Sequence, residues 1–193
     1  HTLHDAPDYR IDLYIKNLPS VTVNGEKRFF INGVGYGIDS YCCEIGDKLR
    51  RKKEVKHKNK PINYKAVAAK GLLFHFKPRN VKVTVDGVKY TYKNVWFAPT
   101  MNGRFYGGGL MPAPQQDREN AEHKVSLIVF HGCGRLRALR ILPSVVRGKH
   151  MKYKKQVSVL EGKEITVEFD RPAPLEIDGD TVFAAASYAV STQ

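Results

Sequence analysis

Asp178 and Asp180 stand two residues apart in Leu175-Glu176-Ile177-Asp178-Gly179-Asp180. An Asp-Gly pair after a β-rich run sets its acids on a tight turn, where Asp178 or Asp180 can take a proton from a substrate hydroxyl. A plain surface hairpin uses the same pair. A second stretch, Asn102-Gly103-Arg104-Phe105-Tyr106-Gly107-Gly108-Gly109, puts three consecutive glycines after an aromatic pair. Glycines cost backbone entropy on folding, so a run of them signals close approach of backbone to a ligand or a neighbouring element. A bulged hairpin is the alternative for that segment. A third stretch, Asn32-Gly33-Val34-Gly35-Tyr36-Gly37-Ile38-Asp39, alternates glycine with other residues and reads as a tight turn from strand to helix.

The familiar motifs are missing. There is no Walker A sequence, HExxH, GxSxG, EF-hand loop or RNP-type aromatic motif. The three cysteines, Cys42, Cys43 and Cys133, form no CxxC pair. A low, odd count without zinc spacing suits a reducing compartment and buried thiols.

The elements that must position these groups are mostly strands. Lys27 to Val34 is β-rich, and Val81–Val85 and Val88–Tyr92 flank Asp86-Gly87, the strongest short hairpin signal. Val95–Ala98 and Val125–Phe130 are apolar enough for buried strands. Gln156–Leu160 and Glu164–Phe169 read as a pair around Glu161-Gly162, and Thr181–Val190 as a last strand. Helical spacing is limited to Asp39–Lys53, Asn63–Phe76 and Arg135–Val146, the last kinked or ended by Pro143. Many strands with about three helices predict a mainly β, α+β, sandwich-like domain.

The chain has 193 residues, enough for one domain with a sizeable core. No apolar run approaches the roughly 20 residues of a membrane span. The net charge is +13, concentrated at Lys48–Lys60 and Arg147–Lys155. A field of that sign draws anionic lipid, phosphorylated ligands or nucleic acid.

Taken in order, four blocks resemble the C-terminal part of the diacylglycerol-kinase-like lipid kinases, a family that includes sphingosine and ceramide kinases. They are FINGVGYGID at Phe30–Asp39, KPRNVKVTVDG at Lys77–Gly87, NGRFYGGGLMPAP at Asn102–Pro114 and LEIDGD at Leu175–Asp180. LPSVVRGKHMK at Leu142–Lys152 also looks like the family. The resemblance implies the NAD kinase/diacylglycerol kinase-like architecture. Residues 29–193 would form the β-sandwich-like C-terminal domain, with 1–28 as a connecting segment or upstream edge strands.

The activity implied is transfer of the γ-phosphoryl group of ATP to a lipid hydroxyl, with Mg2+. Asp180 would be the general base, at a position where the bacterial pattern generally has Glu. Asp178 would orient the turn or help hold magnesium. Asn102, Gly107, Gly108 and Gly109 would line the substrate side. The family's acidic magnesium block corresponds to Asp117–Lys124, where Asn120 replaces its key Asp, so Asp117 and Asn120 are the candidate metal residues.

The family's GGDGT nucleotide motif is not in this sequence. The N-terminal ATP-binding domain is therefore expected as a missing partner, and the piece alone is expected to be inactive. An anionic membrane surface, a cytoplasmic location with peripheral membrane association, and a homodimer complete the expectations. A basic module that holds nucleic acid is the rival reading. A kinase of the same plan acting on a soluble substrate such as NAD is a third.

Overall fold

Three two-residue turns organise the chain. Asn24-Gly25, Asp86-Gly87 and Asp178-Gly179 each place both residues at positive φ, between 47° and 100°. That is the backbone of the type I′ hairpin, which Asn/Asp followed by Gly favours because these residues tolerate the left-handed region. In the computed structural model, which describes residues 17–37, 40–41, 44–45, 48, 51, 71, 75–106 and 109–192, the three turns join β1 (Ser20–Val23) to β2 (Glu26–Phe29), β4 (Arg79–Val85) to β5 (Val88–Val95), and β9 (Glu164–Ile177) to β10 (Asp180–Ser191).

The remaining strands are β3 (Gly33–Gly37), β6 (Phe97–Met101), β7 (Val125–Phe130) and β8 (Val157–Gly162). All pairings are antiparallel, in the order β2-β1-β10-β9-β3-β6-β7-β8, with β4 joined to β9 and β5 to β4. β9 is the fold's spine. It pairs with β10 along its length, with β4 through Ile165–Phe169 and with β3 through Glu176–Ile177. One strand serving two partners on the same edge makes the sheet fold over on itself. Irregular register in β10 around Ala185, with Ala184 at φ 54°, accommodates the bend. The result is the mainly β, sandwich-like domain the sequence predicts.

Inside lie Phe30, Tyr36, Trp96, Phe97, Phe130 and Tyr188, each at most 2% exposed. Burying such side chains contributes roughly 2–3 kcal/mol apiece. Their polar atoms are matched: Trp96 Nε1 donates to Cys133 O at 2.9 Å, and the Tyr188 hydroxyl sits 3.1 Å from both Ala98 O and Thr100 Oγ1. β7 is buried at all six positions, which explains its unbroken apolar sequence.

Three local expectations are revised. Lys27–Val34 is not one strand: β2 ends at Phe29 and β3 begins at Gly33, because the intervening backbone N–H groups bond elsewhere. The alternating glycines are a buried strand rather than a turn into a helix. A Cβ on Gly35 would lie 2.4 Å from Pro99 Cα, so β3 and β6 pack too closely for any side chain there. The segments around Glu161-Gly162 do not pair with each other. Among the described residues β8 pairs with β7 alone, and the Asp86 carboxylate accepts the N–H of Lys163 and Glu164 at 3.0 and 2.8 Å as the chain crosses over.

Arg135–Val146 does break at Pro143, into α1 (Arg135–Ile141) and a 3₁₀ turn, Leu142–Arg147; a second 3₁₀ turn is Lys149–Lys152. The helix expected over 39–53 falls largely outside the described residues, of which Ser40, Tyr41, Glu44, Ile45, Lys48 and Arg51 are helical. Most of 63–76 lies outside them too.

Candidate functional site

The β9–β10 turn is anchored by its own first residue. Asp178 accepts the backbone N–H of Ile31 at 2.5 Å on Oδ2, and those of Asn32 and Gly33 at 2.8 and 3.1 Å on Oδ1. Its own N–H donates to Gly33 O at 3.1 Å. A carboxylate taking several backbone donors is a strong, geometry-fixing acceptor. The link between β2 and β3 is thereby tied to the hairpin tip.

The same link is held from its other side by the Asn102 segment. Asn102 N and Gly103 N donate to Asn32 O at 2.9 and 3.1 Å, and Asn102 Nδ2 donates to Ile31 O at 3.0 Å. Arg118 completes the cluster by donating from Nη2 to Asn32 Oδ1. Its guanidinium lies against Gly103, where a Cβ would come within 2.6 Å of Nη2. Glycine at 103 is the space the arginine occupies.

Asp178, Asn102 and the Asn32 block, far apart in sequence, are thus one constellation. Asp180 lies two residues past Asp178, opposite Ile177 at the start of β10. Its side chain is exposed, with no hydrogen-bond or ion-pair partner among the described residues. An unpaired carboxylate on a braced turn can accept a proton from a substrate hydroxyl. Asp178 is committed to backbone donors. Glu176, two residues earlier, is only 2% exposed, a buried carboxylate the sequence reading did not single out.

The glycine run is closed at its base by Tyr106 and Leu110, whose N–H and C=O groups exchange two 3.0 Å bonds. Gly109 sits at φ 95° in open space. Gly107 and Gly108 lie outside the described residues.

Asp117 and Asn120 share a turn, and their groups serve it. Asn120 Nδ2 donates to Asp117 O and Lys124 O at 2.6 and 2.9 Å, while Asn120 Oδ1 accepts the Lys124 N–H at 2.8 Å. Asp117 Oδ1 accepts the Glu119 N–H at 3.1 Å. Beside them Gln116 Nε2 donates to Lys124 O at 3.0 Å, and Arg104 Nε to Gln116 O at 3.1 Å. As arranged, these atoms brace a loop that carries Arg118; they do not converge as oxygen donors on a magnesium ion. Among the described residues no group of three or more His, Cys, Asp or Glu stands together.

Arg118 and the acceptor role of Asn32 were missed in the sequence. The signal available was an arginine inside an otherwise acidic block, paired with a glycine after Asn102. Cys133, the cysteine within the described residues, is buried, and burial pushes its thiol upward. No helix among the described residues is long and apolar enough to cross a membrane.

Fold and site together define an antiparallel, sandwich-like domain whose hairpin tip is braced by the backbone donors on Asp178 and carries the open Asp180 carboxylate. Residues 32–190 match the model of the YegS C-terminal NAD kinase beta sandwich-like domain, and the chain belongs to that family. It is 24% identical over 157 residues to YtlR of Bacillus subtilis (strain 168), provisionally named a lipid kinase, covering 79% of this chain and 48% of YtlR. It is 25% identical over 145 residues to a diacylglycerol kinase of Mycobacterium tuberculosis (strain CDC 1551 / Oshkosh), covering 75% of this chain and 44% of that protein. The chain therefore spans about half the length of the curated relatives it matches. A crystal structure of a diacylglycerol kinase from Bacillus anthracis str. Sterne shares the fold at a TM-score of 0.53 and 14% identity, over 92% of this chain and 50% of that one.

Proposed function

We propose that this chain is the lipid-side half of an ATP-dependent lipid kinase, completed by a nucleotide-binding half. The observation that carries the reading is the division of labour at the hairpin tip. Asp178 is spent on three backbone donors, so the turn is fixed and Asp180 stands open beside it. The names of the relatives supply the substrate class.

In this reading the lipid hydroxyl gives its proton to Asp180 as its oxygen attacks the γ-phosphorus. The new O–P bond forms as the bond to the departing ADP breaks. Such transfers depend on positioning and charge neutralisation more than on covalent chemistry by the protein. Asn102 and the Tyr106–Leu110 loop would place the acceptor. Magnesium would accompany the nucleotide; no step is assigned to Asp117 or Asn120. The enzyme would work at a membrane surface, where its substrate resides.

The test is the coding sequence immediately upstream of His1 together with an assay of the whole product. A GGDGT motif and ATP-dependent phosphorylation of a lipid alcohol are expected. Absence of that motif, or full activity in an Asp180→Asn protein, overturns the proposal.

A further inference from the structure

Between Glu122 and Glu161 the sequence contains no Asp or Glu, yet eight Lys and Arg residues lie from Arg135 to Lys155. The structure gathers six of these residues into α1 and the two 3₁₀ turns, a helical cap on an otherwise β body, and Lys154 and Lys155 follow directly after it. Its inner side is apolar: Ala138, Ile141, Leu142 and Val145 are buried in the core. Its outer side carries Arg140, Arg147 and Lys149, and the turn that leaves it carries Lys154 and Lys155, all exposed. Arg140, Arg147, Lys149, Lys154 and Lys155 take part in no ion pair among the described residues.

Apolar side chains project from the same outer side. Leu136 is 85% exposed and Val146 51% exposed. A leucine this exposed on a seven-residue helix gains nothing from folding. Next to uncompensated cations it has the composition of an interfacial anchor, an apolar tip that enters the acyl boundary while the cations meet headgroups.

The cap is also fastened to the glycine-run segment. Met111 N donates to Val145 O at 3.1 Å, and His150 Nε2 lies 2.8 Å from Pro112 O. Gly148, at φ 65°, lets the turn close on Met111 and Pro114; a Cβ there would lie 3.1 Å from both. The cationic face is thus rigidly joined to the loop that would receive a lipid acceptor.

We infer that the α1–3₁₀ cap, with Leu136 as its inserted tip and Arg140, Arg147 and Lys149 as headgroup contacts, is the face by which this protein docks on an anionic bilayer. The inference rests on the lipid-substrate reading for its purpose, but not for its test. Charge complementarity selects the bilayer: the apolar tip has no use against a free phosphate.

The experiment is co-sedimentation of the 193-residue chain with phosphatidylcholine vesicles, with and without phosphatidylglycerol, at low and high salt. Binding that requires phosphatidylglycerol and weakens with salt is expected. Arg140→Glu/Arg147→Glu/Lys149→Glu should weaken it at least tenfold, and Lys82→Glu/Lys89→Glu/Lys93→Glu, on β4–β5, should change it less than threefold. A Leu136→Trp chain should gain emission that shifts blue on vesicles and is quenched by brominated acyl chains.

Equal loss from both charge reversals, no quenching at position 136, or equal binding to neutral vesicles overturns the inference. So does retention of an oligonucleotide, lost with the cap reversal, by a chain that ignores vesicles. A chain that ignores vesicles but whose Asn32 and Asn102 amide resonances shift with a water-soluble short-chain diacylglycerol loses the docking face and keeps the substrate reading. Vesicle binding through the cap without those shifts keeps the docking face alone.

Discussion

The carboxylate of Asp178 receives the backbone N–H of Ile31 at 2.5 Å, joining two points 147 residues apart in the chain. With Asn32 and Gly33 as further donors, this one side chain sets the break between β2 and β3 and the orientation of the β9–β10 tip. The two acids of the Asp-Gly-Asp turn therefore have separable consequences.

Asp178→Ala removes an acceptor from three backbone donors. Part of that loss is repaired by water because the site is exposed, so the expected destabilisation is about 2 kcal/mol by urea denaturation. Asp180→Asn touches no described partner and should stay within about 0.5 kcal/mol of the parent. In the complete enzyme it should lower kcat by at least a hundredfold. Equal stability losses from the two substitutions would contradict the assignment.

Arg118 and Gly103 should be coupled. Gly103→Ala places a methyl group 2.6 Å from Arg118 Nη2, which must swing away from Asn32. Gly103→Ala should cost about 1 kcal/mol alone and distinctly less in an Arg118→Ala background, a non-additivity read by a double-mutant cycle. Additive effects would mean that the guanidinium does not rest on that glycine.

Gly35 and Gly25 separate two reasons for glycine. Gly35→Ala drives a Cβ into Pro99 Cα and Ala98 O, backbone that cannot step aside, and should cost about 3 kcal/mol or abolish soluble expression. Gly25→Ala, at φ 83° with open space around it, should cost only the left-handed strain of about 1–2 kcal/mol. Thermal melts of the two variants check the order.

His150 gives the fold a pH dependence. It is 1% exposed, and burial holds its imidazole below the ordinary range, partly offset by the bond to Pro112 O. A carbonyl can only accept, so Nε2 carries the proton and Nδ1 is left without a partner. His131 is lowered as well, again by burial. The unfolded chain therefore takes up protons first, at about pH 6.5. Stability should be full above that pH and fall as the pH drops from about 6.5 towards the lower folded-state values. Urea midpoints at pH 7.5 and 5.5 should differ for the parent and differ less for His150→Gln, whose amide can still donate to Pro112 O.

Local chemistry was legible without coordinates. Asp86-Gly87 marked its hairpin, Pro143 the end of α1, and Val125–Phe130 a strand buried on both faces, because turn geometry, proline sterics and apolar runs act over a few residues. The candidate acids and Asn102 could be picked out as residue types on turns, and the order of the four blocks indicated the family. Partnership could not be read this way. The Gly35 strand looked like a turn because its requirement comes from Pro99 on β6, and β8 and β9 looked like a hairpin because pairing is chosen by distant strands.

The carboxylate pair Asp178 and Asp180 shows the same limit. The sequence by itself determined that two acids flank a glycine, and its resemblance to the lipid kinases implied Asp180 as the base and Asp178 as the residue that orients the turn or helps hold magnesium. The tertiary structure supplied the physical difference between them, by bringing three N–H groups from the other end of the domain to Asp178 and none to the Asp180 carboxylate. Hydrogen bonding depends on position and direction in space, and those are fixed by how β9 bends between its two partners, not by the residues beside the turn.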